Sequence, residues 1–263
     1  MDLGLQGKVV VVCGASAGIG FEAARAFVAE GANVAICSRN KASIERAAQA
    51  LDAERTGRVL PVAADLSDEN GAATLIDAVV ARYSTIHVLI NNVGGPPPGT
   101  FATLDDSAWL AAVDLTLMSA VRVTRLALPF MRKQRWGRIV NISSYSVKQP
   151  IPNLMLSNSV RMAMLGWAKT LANEVAADNV LVNTVCPGWT RTDRVQQIFT
   201  SQASAAGTDV DAVEGRIASG IPLTRLAEPK EIASAVAFLS SECASYITGT
   251  ALAVDGGAAQ SYG

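Results

Sequence analysis

The sequence predicts an α/β fold in which a parallel β-sheet is covered by helices on both faces. Short β-branched runs alternate along the chain with long, Ala-rich amphipathic segments, a pattern typical of strands joined by right-handed helical crossovers. The strand candidates are continuous apolar runs, which indicates strands buried on both sides. No linker or repeat divides the 263 residues, so we expect one domain spanning residues 1–263.

Seven strands and six intervening helices account for most of the chain. The strands are predicted at residues 9–13, 34–38, 59–63, 88–91, 138–142, 181–186 and 251–254. The helices are predicted at residues 19–30, 42–53, 69–83, 106–133, 153–177 and 229–239. This alternation predicts a single doubly wound sheet of the Rossmann type with about seven strands.

A polar segment at residues 190–224 interrupts the alternation after the sixth strand. It contains Gly207 and Gly220 and predicts two short helices. Because ligands of doubly wound sheets bind in a crevice beyond the strand ends, we expect this segment to form a lid over a bound substrate. Arg191 and Arg194, near its start, either meet an anionic substrate or are solvated helix residues.

The composition excludes several classes of function. The formal net charge is -1 and Lys and Arg are spread along the chain, so we expect no nucleic-acid partner. No apolar run approaches the roughly 18 residues needed to cross a bilayer, and the first residues are too few and too polar for a signal peptide. We therefore expect a cytoplasmic protein without a membrane partner.

The cysteines and the single histidine argue against a metal site. Cys13, Cys37, Cys186 and Cys243 show no C-x-x-C spacing, and three of them fall in apolar runs that predict strands. We expect all four to be buried thiols in a reducing compartment. His87 is the only histidine, so a three-ligand zinc site would have to be built without imidazole, and no metal is expected.

A glycine-rich turn follows the first predicted strand and leads directly into a helix. Its glycines are spaced G-x-x-x-G-x-G, and the residues concerned are Gly14, Ser16, Gly18, Ile19 and Gly20. Glycines in such a turn let the backbone approach a pyrophosphate, and the helix N-terminus offers N–H donors and a positive dipole. The turn therefore predicts a dinucleotide-binding site; the alternative is a glycine-rich turn without a ligand.

Five motifs, the glycine turn among them, occur along the chain in a fixed order. After the turn come Asn-Asn-Val-Gly at 91–94, Ile-Ser-Ser at 142–144, Cys-Pro-Gly-Trp-Thr at 186–190, and a closing pair at 247–250 and 254–257. With these motifs the chain resembles the short-chain dehydrogenases/reductases over nearly its whole length, and among them the 3-oxoacyl carrier-protein reductases. Cys13 and Val93 depart from the Thr and Ala that are usual in this family.

The resemblance implies where a nicotinamide dinucleotide would be held. Beyond the glycine turn, it assigns Asp65 and Leu66 to the adenine, Asn91 and Gly94 to the ribose side, and Pro187, Gly188, Thr190 and Thr192 to the carboxamide. A plainer interpretation makes Asp65 a loop residue that caps the backbone. The implied reaction is hydride transfer between nicotinamide and a carbonyl or alcohol carbon of a small molecule.

The end of the second predicted strand bears on the choice between NADP and NAD. An acidic residue there would accept hydrogen bonds from a ribose 2′-hydroxyl and favour NAD, but the chain has Ser38 and Arg39. The Arg39 guanidinium can pair with a 2′-phosphate through its fork. The sequence therefore favours NADP(H) over NAD(H); the alternative is that Arg39 is a solvated loop residue.

The resemblance also implies a catalytic Ser, Tyr, Lys and Asn, of which the chain keeps the Ser as Ser144. When the helix at 153–177 is aligned by Gly166 and Lys169, Ser157 stands in place of the Tyr and Arg161 in place of the Lys. Asp114, on the preceding long helix, stands in place of the Asn. None of the chain's four tyrosines has a Lys four residues later; they are Tyr83, Tyr145, Tyr246 and Tyr262.

These replacements change the acid–base chemistry that the site can perform. Ser157 is a far weaker acid than a phenol, whose pKa is about 10, so it is not expected to cycle as acid and base. Arg161 keeps a positive charge and can hold the nicotinamide ribose hydroxyls. Asp114 can pair with a cation, or serve as an acid if desolvation raises its pKa.

Tyr145, with Lys148 three residues further on, is a substitute proton donor at the mouth of the expected site. Consecutive side chains leaving a strand tend to point in opposite directions, which argues against Ser144 and Tyr145 both facing the substrate. The alternatives are that Tyr145 is a wall residue of the substrate pocket and that Lys148 is a surface cation.

Two functions are consistent with these observations. The first is an oxidoreductase with a modified proton relay, and the second is a non-catalytic dinucleotide-binding protein that acts as a sensor or an inactive subunit. Family analogy suggests a homotetramer, with the last strand and the 229–239 helix at one interface and the 106–133 and 153–177 helices at the other. The apolar residues that suit such an interface, or equally a monomer core, include Leu154, Val160, Leu165 and Ala168.

Overall fold

The computed structural model, which describes residues 2–52 and 57–261, contains one seven-stranded sheet. Its strands are β1 Val9–Val12, β2 Asn33–Ser38, β3 Val59–Ala63, β4 Val88–Asn91, β5 Gly137–Ile142, β6 Val180–Pro187 and β7 Ala251–Val254. They lie in the order β3-β2-β1-β4-β5-β6-β7, and all neighbours are parallel. The predicted sheet is confirmed, with strand ends that differ from prediction by at most one residue.

The helices that connect the strands are placed as predicted. They are α1 Gly18–Ala29, α2 Lys41–Leu51, α3 Glu69–Tyr83, α4 Asp106–Val113, α5 Ser119–Lys133, α6 Met155–Val175, α7 Asp193–Ala206, α8 Val210–Ser219 and α9 Pro229–Leu239. The prediction for α2 extended to Ala53, which lies outside the described residues. Side-chain caps explain several helix starts, because Asn40, Asp68 and Asp105 each accept a backbone N–H of the first turn.

Two apolar cores lie on opposite faces of the sheet. Residues that alternate along β1 separate into the two layers: Val10 and Val12 contact one core, and Val9 and Val11 contact the other. The first core is closed by α1, α2 and α9, and the second by α3, α5 and α6. Burial on both faces explains why the central strands are continuous apolar runs.

The two edge strands depart from the expectation that every strand is buried on both faces. In β3 only Val62 is buried, and in β7 no residue is buried, with Leu252 37% exposed. Each edge strand has one hydrogen-bonded neighbour, so its outer side is not covered by another strand. An apolar run in the sequence cannot distinguish an edge strand from a central one, which is why this expectation was wrong.

The predicted helix at 106–133 is one continuous rod with an irregularity inside it. A π-helical turn, Asp114–Met118, separates α4 from α5. Such single turns change the direction in which side chains project, because one extra residue is accommodated in the helix. The residue chosen from the sequence at this position, Asp114, is the first residue of that turn.

The segment at 190–224 contains the two predicted helices, α7 and α8. Phe199 of α7, Val213 of α8 and the following Leu226 form a small apolar cluster of their own. A parallel bridge between Thr190 and Ala227 joins the two ends of the segment beside β6. The segment is therefore a packed unit attached at the carboxyl end of β6.

One cysteine differs from the expectation that all four are buried. Cys13, Cys37 and Cys186 are buried in or next to strands, but Cys243 is exposed in a short 3₁₀ turn. Within residues 2–52 and 57–261, no group of three or more His, Cys, Asp or Glu is arranged to hold a metal ion. No helix in the same part of the chain is both long and apolar enough to span a membrane.

Candidate functional site

A cleft of about 350 Å³ opens at the carboxyl edge of the sheet. It lies beyond the ends of β1, β4, β5 and β6 and is bordered by α6 and by the first turns of α7. In a parallel sheet, the carboxyl ends of all strands lie at the same edge, so segments that are distant in sequence meet at that edge. The cleft is thus the place where the sequence motifs come together.

The glycine turn forms one wall of the cleft through Gly14, Gly18 and Ile19. Gly14 has φ +59°, and a Cβ there would lie 2.6 Å from the Asn92 carbonyl oxygen, so only glycine fits this position. Ala17 caps α1 without a side-chain hydrogen bond, which leaves first-turn N–H groups of α1 open to a ligand. The arrangement offers a positively polarised cradle of backbone donors.

The structure places the side chains of Asn91 and Asn92 differently. Asn91 is buried and donates to Thr124 Oγ1 at 3.1 Å and to Asn141 Oδ1 at 2.9 Å. Asn92 lines the cleft and its amide donates to the Gly14 carbonyl at 3.0 Å. The sequence prediction named Asn91 and missed Asn92. Because β4 ends at Asn91 and side chains alternate along a strand, the pattern itself could have indicated that only one of them faces the cleft.

Ser144 and Tyr145 both line the cleft, contrary to the alternation expected for residues leaving a strand. The reason is that β5 ends at Ile142 and the chain then enters a 3₁₀ turn, Tyr145–Val147. Ser144 caps this turn, and its Oγ accepts the Ser146 backbone N–H at 3.1 Å. The strand rule does not apply once the backbone has turned.

Burial raises the pKa of the Tyr145 phenol above its ordinary value, with the indole N–H of Trp189 opposing the shift and the charge of Asp255 adding to it. The Tyr145 and Trp189 rings meet edge to face with centroids 6.5 Å apart, and Trp189 in turn packs on Phe199. The phenol is therefore protonated at neutral pH. Lys148 is partly exposed and is absent from the residues that line the cleft in the described parts of the chain.

Ser157 and Arg161 lie one helical turn apart on α6 and both line the cleft. Arg161 is only 7% exposed. Its Nε donates to Ser157 Oγ at 3.2 Å, and its Nη1 donates to the Ile142 and Ser143 carbonyls at 3.0 and 2.9 Å. Burial lowers the pKa of this guanidinium to about 10, the Cys186 thiol acting in the opposite direction and the charge of Arg194 in the same one. The cation is held by neutral oxygen atoms.

Asp114 is placed away from this group. Its carboxylate pairs with Arg122 at 3.0 Å, and the same Arg122 donates to the Ser67 carbonyl at 2.9 Å. The pairing with a cation that the sequence suggested is confirmed. Asp114 is not among the described residues that line the cleft, and its side chain is 48% exposed. Asp114 begins the π-helical turn, and its partner Arg122 lies on α5.

A second group of predicted residues lies at the ends of β2 and β3, beside the glycine turn. Ser38 is partly exposed and Arg39 is exposed. Asp65 follows β3 and accepts hydrogen bonds from the Ser67 backbone at 3.0 Å and hydroxyl at 2.7 Å. These bonds lower the Asp65 pKa, and the nearby positive charge of Arg39 contributes to the shift. Leu66 is buried beneath them.

The entrance of the 190–224 segment forms the wall opposite the glycine turn. A Cβ on Gly18 would lie 3.2 Å from Thr192 Cγ2, so the two walls are in near contact there. Arg194 also lines the cleft and donates through Nη2 to the Pro96 carbonyl at 2.5 Å. Arg191 instead pairs with Glu214 at 2.6 Å and Glu228 at 3.2 Å.

Most of the predicted site residues meet in the cleft. Those that line it are Gly14, Gly18, Ile19, Gly94, Ser144, Tyr145, Ser157, Arg161, Pro187, Gly188, Thr190 and Thr192. Those that lie outside its lining are Ser16, Gly20, Ser38, Arg39, Asp65, Leu66, Asn91 and Asp114. The prediction missed an apolar wall that comprises Ile151, Leu154 and Ile198, because an apolar residue in a loop or helix carries no signal for a pocket.

Comparison with known proteins identifies the family. A family model described as "Enoyl-(Acyl carrier protein) reductase" matches residues 14–259. The 3-oxoacyl-acyl-carrier-protein reductase of Chlamydia trachomatis is 34% identical over 256 residues, covering 97% of this chain and 98% of the relative. Two crystal structures are also similar. L-sorbose reductase of Gluconobacter frateurii, complexed with NADPH and L-sorbose, has a TM-score of 0.94 and 33% identity, covering 99% of this chain and 100% of that one.

The second structure is YwfH, an NADPH-dependent reductase involved in bacilysin biosynthesis. Its TM-score is 0.93 with 30% identity, and the match covers 97% of this chain and 100% of that one. The agreement extends to the fold, to the sequence and to nearly the full length of each relative. The chain belongs to the short-chain dehydrogenase/reductase family.

Proposed function

We propose that the protein is an NADP(H)-dependent oxidoreductase that interconverts a carbonyl and an alcohol on a small molecule. The observation that carries the proposal is the shared cleft, in which the glycine turn and the Ser144–Tyr145 pair face the same space. A phosphate cradle and a pair of hydroxyl groups in one cavity suit two ligands bound side by side, which is the requirement for hydride transfer between them. The NADPH-bound L-sorbose reductase, similar over 99% of this chain, supports the proposal.

The residues present fit a nicotinamide dinucleotide. The Gly14 turn and the uncapped first turn of α1 form a cradle for the pyrophosphate. Pro187, Gly188 and Thr190 would contact the carboxamide end, and Arg161 would hold the ribose hydroxyls next to it. On the ribose side we assign the contact to Asn92, because Asn92 lines the cleft whereas Asn91 is buried outside its lining.

When bound, the nicotinamide would supply or accept the hydride. The Ser144 hydroxyl donates a hydrogen bond to the substrate carbonyl oxygen, on which negative charge develops during reduction. The Tyr145 phenol supplies the proton to that oxygen, because it is protonated and lines the same cleft. Asp114 is excluded from this role by its position and its pairing with Arg122.

We further propose that Ser157 and Arg161 occupy the places of the family's Tyr and Lys. The spacing of four residues is retained, and both side chains face the cleft. The Arg161 guanidinium is fixed by the Ile142 and Ser143 carbonyls and keeps a positive charge beside the reacting groups. In this proposal Ser157 and Arg161 preserve cofactor binding, and Tyr145 performs the acid–base step.

The preference for NADP(H) is proposed from the end of β2. Arg39 is exposed, and the end of β2 carries no Asp or Glu that would bind a ribose 2′-hydroxyl. The nearby Asp65 carboxylate, at the end of β3, already accepts two hydrogen bonds from Ser67. The planar guanidinium of Arg39 can donate parallel hydrogen bonds to a phosphate, and the Ser38 hydroxyl is a second donor.

We also propose that the segment at 190–224 closes over the substrate, that the chain forms a homotetramer and that it acts in the cytoplasm.

Turnover with a panel of ketones, aldehydes and 3-oxoacyl thioesters tests the proposal. Purified protein with NADPH is mixed with each compound and the loss of nicotinamide absorbance is followed, with boiled protein as the control. Oxidation of NADPH that depends on a carbonyl compound and is matched by alcohol formation supports an oxidoreductase. Binding of NADPH without turnover across the panel favours the alternative, a non-catalytic sensor or inactive subunit.

A further inference from the structure

The cleft contains two guanidinium groups and no carboxylate paired with either of them among the described residues. Arg161 is 7% exposed, and its hydrogen bonds go to a hydroxyl and two carbonyl oxygens. Arg194, half-buried at the start of α7, donates to the Pro96 carbonyl. Burying cations without counter-charges is unfavourable, and desolvation lowers the pKa of both groups.

The two groups converge on one point of the cleft. A Cβ built on Gly95 would lie 3.5 Å from Arg194 Nε, 3.7 Å from Arg194 Nη2 and 3.9 Å from Arg161 Nη2. Both guanidiniums therefore border the backbone of the loop that follows β4. The positive charge of Arg194 also contributes to the lowered pKa of Arg161.

Another arginine near the start of the same segment has carboxylate partners, in contrast to Arg194. Arg191, three residues before Arg194, pairs with Glu214 at 2.6 Å and with Glu228 at 3.2 Å. Arg194 has no such pair among the described residues and is turned toward the cleft. Asp193, the acidic residue in the cleft lining, is exposed, so solvent screens its charge.

We propose that the substrate is an anion, a keto acid or the corresponding hydroxy acid, whose carboxylate pairs with Arg194 near Gly95. The inference rests on the proposed function and names its substrate class. A carboxylate can accept two parallel hydrogen bonds from a guanidinium, and the charge of Arg161 adds to the attraction. Ile151, Leu154 and Ile198 belong to the apolar part of the lining and suit a short aliphatic chain between carboxylate and carbonyl.

Arg194 can also pair with the diphosphate of the cofactor. The test therefore distinguishes a substrate carboxylate from the cofactor diphosphate as the anion that Arg194 binds. Arg194→Met removes the charge and keeps much of the side-chain volume. Arg216→Met is the matched control, because Arg216 is exposed on α8 of the same segment and is not part of the cleft lining. The substrates are 2-, 3- and 4-oxo acids of four to eight carbons, each compared with its methyl ester.

Two readouts are taken with each variant. The first is kcat/KM for each acid and its ester with NADPH. The second is calorimetric binding of NADPH, and of a saturated carboxylic acid that cannot react, to the full-length protein. We expect the acid to be preferred over the ester about 10- to 100-fold, the preference to disappear in Arg194→Met, and Arg216→Met to behave as the parent protein.

Each remaining outcome has a definite meaning. Equal rates with acid and ester in the parent protein overturn the inference and leave an oxidoreductase in place. Loss of NADPH affinity in Arg194→Met with unchanged acid preference assigns the guanidinium to the cofactor and also overturns it. Arg194-dependent binding of the saturated acid without turnover of any compound supports the anion site and contradicts the proposed function. A protein that neither turns over any compound nor binds the saturated acid contradicts both the inference and the proposed function.

Discussion

At the scale of single residues, the chemistry of the cleft depends on where one phenol and one guanidinium point. The Tyr145 side chain faces the cleft because the chain turns immediately after β5, and Trp189 holds its ring edge to face. Arg161 is anchored through three hydrogen bonds to neutral oxygens, so its position does not depend on a counter-ion. The site therefore has a fixed cation, and the proton donor that we propose is a separate residue.

Tyr145→Phe tests the assignment of the proton donor. The variant keeps the ring and its packing on Trp189 but loses the hydroxyl, so we expect kcat to fall about 100-fold with NADPH affinity unchanged. Tyr246→Phe is the control, because Tyr246 is fully exposed. An unchanged kcat in Tyr145→Phe would show that the proton comes from another group. Tyr262 lies outside the described residues and is not used for comparison.

His87, the only histidine in the chain, predicts a dependence of stability on pH. Its Nδ1 accepts the Val9 backbone N–H at 2.9 Å, which requires an unprotonated nitrogen. Burial, followed by the charge of Lys8, lowers its pKa. The unfolded state therefore binds a proton more readily, so the stabilisation is complete above pH about 6.5 and is lost as the pH falls through the lower, folded-state pKa.

Thermal unfolding between pH 7.5 and pH 5.5 measures this effect. We expect the melting temperature of the parent protein to fall by about 1–2 °C more than that of His87→Asn over this range. In the variant, an amide oxygen takes the place of Nδ1 and has no proton to gain. Identical pH profiles for the two proteins would show that His87 does not titrate differently in the folded state.

At the scale of elements, the apolar pattern was sufficient to predict all seven strands and the helices between them. Continuous burial of β1, β4, β5 and β6 on both faces produces unbroken apolar runs, which are easily recognised. The π-helical turn Asp114–Met118 was not predictable, because no residue type in the sequence marks the point at which the helix accommodates one extra residue. The alternation of side chains along β4 indicates that only one of Asn91 and Asn92 faces the cleft, and the structure shows that it is Asn92.

The glycine turn provides the prediction that belongs to this scale. A Cβ on Gly20 would overlap the Gly14 carbonyl oxygen and would also lie 2.7 Å from Asn92 Nδ2. Gly20→Ala must therefore displace the turn from α1, and we expect NADPH affinity to be lost in a titration. Gly215→Ala on α8 is the control, since its Cβ meets no atom within 4 Å and Ala favours a helix by about 0.5–1 kcal/mol. Retained NADPH affinity in Gly20→Ala would contradict the assigned role of the turn.

At the scale of the whole molecule, apolar side chains remain exposed on the helices that cover one face of the sheet. Leu110 of α4 is 67% exposed, and Met162 of α6 is 49% exposed. Leu126 of α5 and Met155 of α6 are also exposed. These helices are the ones that family analogy places at one interface of a homotetramer, and the homotetramer stays a prediction.

Sedimentation velocity tests the assembly. We expect the parent protein to have four times the mass of one chain, and Leu110→Asp to dissociate because it places a charge in an apolar interface. The substitution is at an exposed position of the single chain, so the fold itself should be retained. Gln197→Asp on the exposed side of α7 is the control. A parent protein that sediments as a single chain would contradict the predicted tetramer.

The central claim is that the cleft binds NADP(H). Calorimetric titration of the purified protein with NADPH and, separately, with NADH tests it without requiring knowledge of the substrate. The account predicts saturable binding of NADPH with one site per chain, and weaker binding of NADH because Arg39 then has no 2′-phosphate to contact. Tighter binding of NADH would contradict the cofactor preference, and the absence of binding by either dinucleotide would contradict the account as a whole.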